Sequence, residues 1–242
     1  MTHLATSDEP SERVVPVERQ EFVVDFAALV AARPAWLPTE PGRPVTVPPN
    51  VMQRFFHAAR RYATDQLLRQ VKRFVHEHRR PLGACELIAA LNCIDRVEQP
   101  AFLWITWNRE CIDEGALRAA IGSVWSATEF PERALRLVEW REMFDAAGYT
   151  IDGKTAQRPI QPVRLYRGCT PSRRYGWSWT DDLDVARTFV REDVHGRRPG
   201  ALYTMLAEPS RLLAAINDRD EHEYVIDTKG ARVRRHDGKG GD

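Results

Sequence analysis

The sequence predicts an α+β fold, an all-α N-terminal region followed by a region of short strands, and three observations carry that prediction. Apolar residues recur at three- and four-residue steps through 51–150. Beyond that stretch the pattern turns to short alternating runs bounded by turn residues. The change coincides with Gly153, Pro159 and Pro162, which punctuate the connection. With 242 residues, 43% of them hydrophobic, the chain has the material for a substantial core.

Residues 1–50 hold Pro10, Pro16, Pro34, Pro38, Pro41, Pro44, Pro48 and Pro49, half of all the prolines. Proline at that density blocks long helices and central strands, so this arm is predicted to be largely irregular. Its one apolar patch, 22–32, has a helical pattern. A long amphipathic helix follows, with Val51, Phe55, Ala59, Tyr62, Ala63, Leu67, Val71, Phe74 and Val75 on one stripe. Arg54, Arg60, Arg61, Arg69, Lys72 and Arg73 fill much of the remainder, and Asp65 and Glu77 interrupt them, so this face reads as solvated. Further helices are predicted at about 83–95, 112–126 and 131–147, the last running from Pro131 in its first turn to Gly148 at its C-terminal cap. Residues 101–107 are aromatic and β-branched, and fit either a strand or a buried helical turn.

Strands are predicted near 163–168, 176–179, 200–207, 222–227 and 231–235, with a helix over 182–192 and a short one over 209–216. The polar, glycine-rich end, His236 and 237–242, is predicted to be mobile. A net charge of +1 argues against a general nucleic-acid binder. No run approaches ~18 consecutive apolar residues, so no membrane partner is expected. The first residues lack a basic stretch leading into an apolar one, which points to a cytoplasmic protein. Cys85, Cys93, Cys111 and Cys169 show no C-x-x-C spacing and read as buried thiols.

Three short segments stand in order in the last third: Leu165-Tyr166-Arg167-Gly168, Gly176-Trp177-Ser178-Trp179-Thr180 and Glu221-His222-Glu223-Tyr224-Val225-Ile226. Together they resemble the Arg, Ser-x-Ser/Thr and Glu-x-Glu signature of the mono-ADP-ribosyltransferase superfamily, the group related to bacterial toxins. The run from Gly176 to Asp182, with Ala186 and Phe189 after it, is similar to small bacterial and phage members. The resemblance covers 159–236 and implies an ADP-ribosyltransferase-like split β-sheet there. It also implies NAD as the donor substrate, no metal, and an acceptor that is a protein, a nucleic acid or water.

Cleaving a nicotinamide–ribose bond develops positive charge on the ribose, so a carboxylate beside the sugar lowers the barrier. Glu223 is the candidate for that carboxylate. On a strand Glu221 would face the same way, because the side-chain period is two. By resemblance, Glu221 would activate or position the acceptor, Arg167 beside Tyr166 would bind the dinucleotide's phosphates, and Ser178 would hold the catalytic carboxylate. Thr180 would face the same side as Ser178, and Trp179, with Trp177 and Tyr175, would supply aromatic surface near the nicotinamide.

The sequence departs from the larger toxins in that Arg167 and Glu223 are only 56 positions apart, which leaves little chain for acceptor-selecting loops. Trp179 also stands where a small residue is common. Two other readings remain: an NAD glycohydrolase with water as acceptor, and a non-catalytic adaptor in which the helical region binds a partner. Other constellations are weaker. Gly176 to Thr180 lacks the second glycine of a nucleophile elbow, and His76 and His78 diverge by about 200° around a helix. A Ser178, Asp227, His236 triad is possible in order alone.

Overall fold

The structure, a computed structural model, describes residues 21–25, 49–190, 200–217 and 222–236, with side chains of the first helix from 57 onward. Helix α1 spans Pro49–His78, and its second half buries Leu67, Val71 and Phe74 of the predicted stripe together with Leu68 beside it, while Tyr62 of that stripe is exposed. Helix α2 (Ala84–Leu91) follows a corner at which the Glu86 carboxylate accepts hydrogen bonds from Gly83 N and from both terminal nitrogens of Arg80, each 2.8 Å. The same carboxylate takes Phe22 N at 2.5 Å. Residues 21–25 are extended rather than helical, burying Phe22 and Val24 on either side of exposed Val23. The rest of 22–32 lies outside the described residues.

Residues predicted as strand or helical turn form helix α3 (Gln99–Asn108), with Pro100 in its first turn and Phe102 and Leu103 buried. Helix α4 (Glu114–Ala127) starts where Asp113 accepts Ala116 N at 2.7 Å, and it buries seven residues. The single helix expected over 131–147 is two, α5 (Pro131–Ala134) and α6 (Leu137–Ala147). Leu135 and Arg136 are extended between them, because Glu139 reaches back to Arg136 N at 2.8 Å and starts a new helix there. Gly148, at φ 72, closes α6.

Eight strands form one mixed sheet among the described residues. They are β1 (Thr150–Ile151), β2 (Lys154–Thr155), β3 (Val163–Cys169), β4 (Ser178–Thr180), β5 (Ala201–Ala207), β6 (Leu212–Ile216), β7 (Glu223–Ile226) and β8 (Arg234–Arg235), in the spatial order β2-β1-β6-β7-β4-β3-β5-β8. Only β1 against β6 is parallel. Between β3 and β4 the ladder is a single pair, Tyr166 with Thr180, while β4 and β7 pair over three residues. The β1–β2 hairpin was not expected, although Asp152 (φ 50) and Gly153 (φ 73) are the left-handed pair that a tight hairpin turn requires. The predicted helix over 209–216 is a 3-10 turn at Pro209–Arg211 followed by strand β6, all five of whose residues are buried.

One face of the sheet shares a core with the helices: Leu213, Ala214, Ile216, Val225 and Trp177 pack with residues of α1 to α4 and α6. The opposite face has its own core of Leu165, Trp179, Tyr203, Met205, Leu212, Ala215 and Ile226. Helix α7 (Leu183–Thr188), capped by Asp182, lies against β3 at Gly168, where a Cβ would overlap the Ala186 carbonyl oxygen. The helix predicted to reach 192 ends at Thr188, capped at Phe189, and 191–192 lie outside the described residues. His236, assigned to the mobile end, is held by its N–H on Leu202 O at 2.8 Å and by edge contact with the Tyr166 ring. Of the four thiols expected to be buried, Cys111 and Cys169 are, Cys93 is half-buried and Cys85 is exposed. No described helix is long and apolar enough to cross a membrane.

Candidate active site

The three motif segments become neighbouring strands, β7, β4 and β3, at the middle of the sheet. Register then decides which side chains meet. Thr180 stands opposite Glu223, Ser178 opposite Val225 and Tyr166 opposite Thr180. Directly paired residues share a face, so Tyr166, Ser178, Thr180 and Glu223 all look toward the helical layer. Trp179, one step along, looks the other way. Its indole is 2% exposed in the far core and donates to Gly176 O at 2.7 Å, and the residue also lines the cavity described below.

Helix α4 brings Trp125 down onto this face. The indole Nε1–H points between Glu223 Oε1, at 3.1 Å, and Ser178 Oγ, at 3.2 Å. Ser178 and Glu223 are therefore brought together through an indole that the sequence reading did not select. Nothing in the sequence separates Trp125 from its apolar neighbours on α4, because its role depends on how that helix packs. Thr180 Oγ1 accepts Asp182 N at 3.1 Å and shapes the turn into α7.

Arg167 lines the site but is braced within it. Its guanidinium donates to the main-chain oxygens of Ser178 and of Arg173, the latter at 3.2 Å, fastening the loop between β3 and β4. Gly176 makes room for this, since a Cβ there would come within 2.5 Å of an Arg167 terminal nitrogen. Arg173 in turn pairs with Glu132 at 3.0 Å and lies 4.4 Å over the Phe130 ring, joining that loop to α5 and the residue before it. Burial pushes the Cys169 thiol up, against the opposing pull of Arg167, Arg173 and Arg174.

These elements enclose a cavity of about 460 Å³, lined by Trp125 and Phe130 from the helical region, Tyr166, Arg167, Ser178, Thr180 and Glu223 from the sheet, and Phe189 after α7. A volume of that order suits a small organic molecule or part of a larger one. Glu221 lies outside the described residues. Strand β7 begins at Glu223, and His222 before it has φ 46. The Ser178, Asp227, His236 combination is not assembled: Asp227 binds Arg141 at 2.5 Å and His236 lies against Tyr166.

No protein-family model, curated protein or solved structure matches the chain. The fold and the geometry of this cavity are therefore the ground on which a functional reading stands.

Proposed function

We propose that the chain is an ADP-ribosyltransferase-like enzyme whose cavity takes NAD. The observation that carries the reading is the convergence of Tyr166-Arg167, Ser178-x-Thr180 and Glu223, scattered over 58 positions of sequence, onto adjacent strands at one cavity. A chance match of three short motifs predicts no such convergence.

In this reading the nicotinamide leaves with the electron pair of its bond to the ribose. Glu223 faces the cationic ribose that remains and lowers the energy of its formation. The acceptor's oxygen or nitrogen then bonds to the ribose carbon and gives up a proton, the step for which Glu221 is the candidate base. Arg167 has five N–H donors, more than its two carbonyl partners consume, and lies beside the cavity where a phosphate would need a cation. The short span between Arg167 and Glu223 also favours a second reading, hydrolysis with water as acceptor.

Incubation with NAD labelled in its adenylate half, in the presence of cell extract, tests both. Label on macromolecules supports transfer, and free ADP-ribose alone supports hydrolysis. Intact NAD after prolonged incubation, with no label transferred, contradicts the enzyme reading.

A further inference from the structure

We propose that Trp125 is the positioning residue for Glu223, a role that rests on the NAD reading of this cavity. The indole is 1% exposed and is set among three aromatic rings: Trp140 at 5.0 Å edge-on, Phe144 at 5.8 Å edge-on and Trp177 at 5.9 Å stacked. Packing therefore fixes where its N–H points before any hydrogen bond forms. An indole carries one polar hydrogen and no acceptor, and a buried one must find a partner.

Two equally buried tryptophans show how this requirement is met in the rest of the molecule. Trp140 donates to Pro131 O and Trp179 to Gly176 O, both main-chain carbonyls within nine residues in sequence. Trp125 instead donates to two side chains that line the cavity, 53 and 98 positions away. A rigid donor shared between two acceptors fixes the Glu223 carboxylate relative to Ser178. The Ser178 hydroxyl, accepting from the indole, keeps its own proton to donate. The helical region thus supplies a working part of the site, and α4 is the element that carries it.

The test replaces Trp125 with benzothienylalanine, which keeps the ring shape and puts sulfur where the N–H was, beside the simpler Trp125→Phe. Losing a hydrogen bond to a charged group predicts a fall in kcat for nicotinamide release of about ten- to a hundredfold, with KM for NAD changed by less than about twofold. In a Glu223→Ala background, which leaves the indole no carboxylate to hold, the isostere is expected to lower kcat no further, because its effect runs through Glu223. A kcat within about twofold of wild type for the isostere, or a loss that adds in full to that of Glu223→Ala, overturns the assignment. A second arm needs no activity. In protein with nitrogen-labelled indoles, Glu223→Ala is expected to shift the Trp125 N–H resonance and leave that of Trp140 in place, and an unmoved Trp125 resonance overturns the assignment outright. If wild type leaves NAD intact while that resonance responds, the reaction reading fails and the hold of Trp125 on Glu223 is supported.

Discussion

Replacing Glu86 with Gln tests what fastens the N-terminal segment and the α1–α2 corner. Four donors converge on this carboxylate, two from Arg80, one from Gly83 N and one from Phe22 N. The Arg80 hydrogen bonds outweigh burial and, with the two backbone N–H groups, hold the carboxyl at about 2 against an ordinary 4.5. At ~1.4 kcal/mol per unit that gap corresponds to ~3 kcal/mol of stability. Arg80, its side chain 30% exposed, is open to solvent, and screening cuts that figure to about 1–2 kcal/mol. Because the folded value is the depressed one, this stability is fully present above the unfolded pKa and is lost as pH falls from about 5 toward 2. Urea unfolding followed by tryptophan fluorescence across that range gives the difference between wild type and Glu86→Gln. The difference is expected to shrink by about 1–2 kcal/mol as the pH falls. A difference that does not depend on pH, or equal midpoints at neutral pH, refutes the reasoning.

Other consequences are measurable in the same way. Gly168→Ala drives a Cβ into the Ala186 carbonyl and the Phe189 backbone, which have little freedom to yield, so thermal unfolding is expected to show a loss of about 1–3 kcal/mol. Tyr224 is pushed up to about 12, first by burial and then by the Asp181 carboxylate, so its folded pKa is the higher one. Stability from this group is present below the unfolded value of 10 and lost as pH rises toward 12, and Tyr224→Phe is expected to flatten that alkaline loss. An alkaline unfolding curve unchanged by Tyr224→Phe contradicts this.

How far the sequence could be read depended on burial. Helix α1 announced itself because 30 residues keep one apolar stripe, and β3 and β5 because one face of each is more buried than the other. Strand β6 was misread as helix because Leu-Leu-Ala-Ala-Ile is covered on both faces and shows no alternation, while leucine and alanine favour helices. The break between α5 and α6 follows from Glu139 capping a new helix, a local signal masked by a continuous apolar stripe. At the site, Tyr166, Ser178, Thr180 and Glu223 were legible because strand pairing alone puts them on one face. Trp179 went to the opposite face by the same period. Trp125 was not legible, since only the docking of α4 on the sheet brings its N–H to Glu223.

The most direct measurement of the central claim is nicotinamide release from NAD by wild type and by Glu223→Gln, side by side and with cell extract present. Gln keeps the size of the side chain and an oxygen for the Trp125 N–H, so the comparison isolates the negative charge. Wild type is expected to release nicotinamide, and the variant to be slower by about a hundredfold or more. Equal rates, or no release from wild type, would contradict the account.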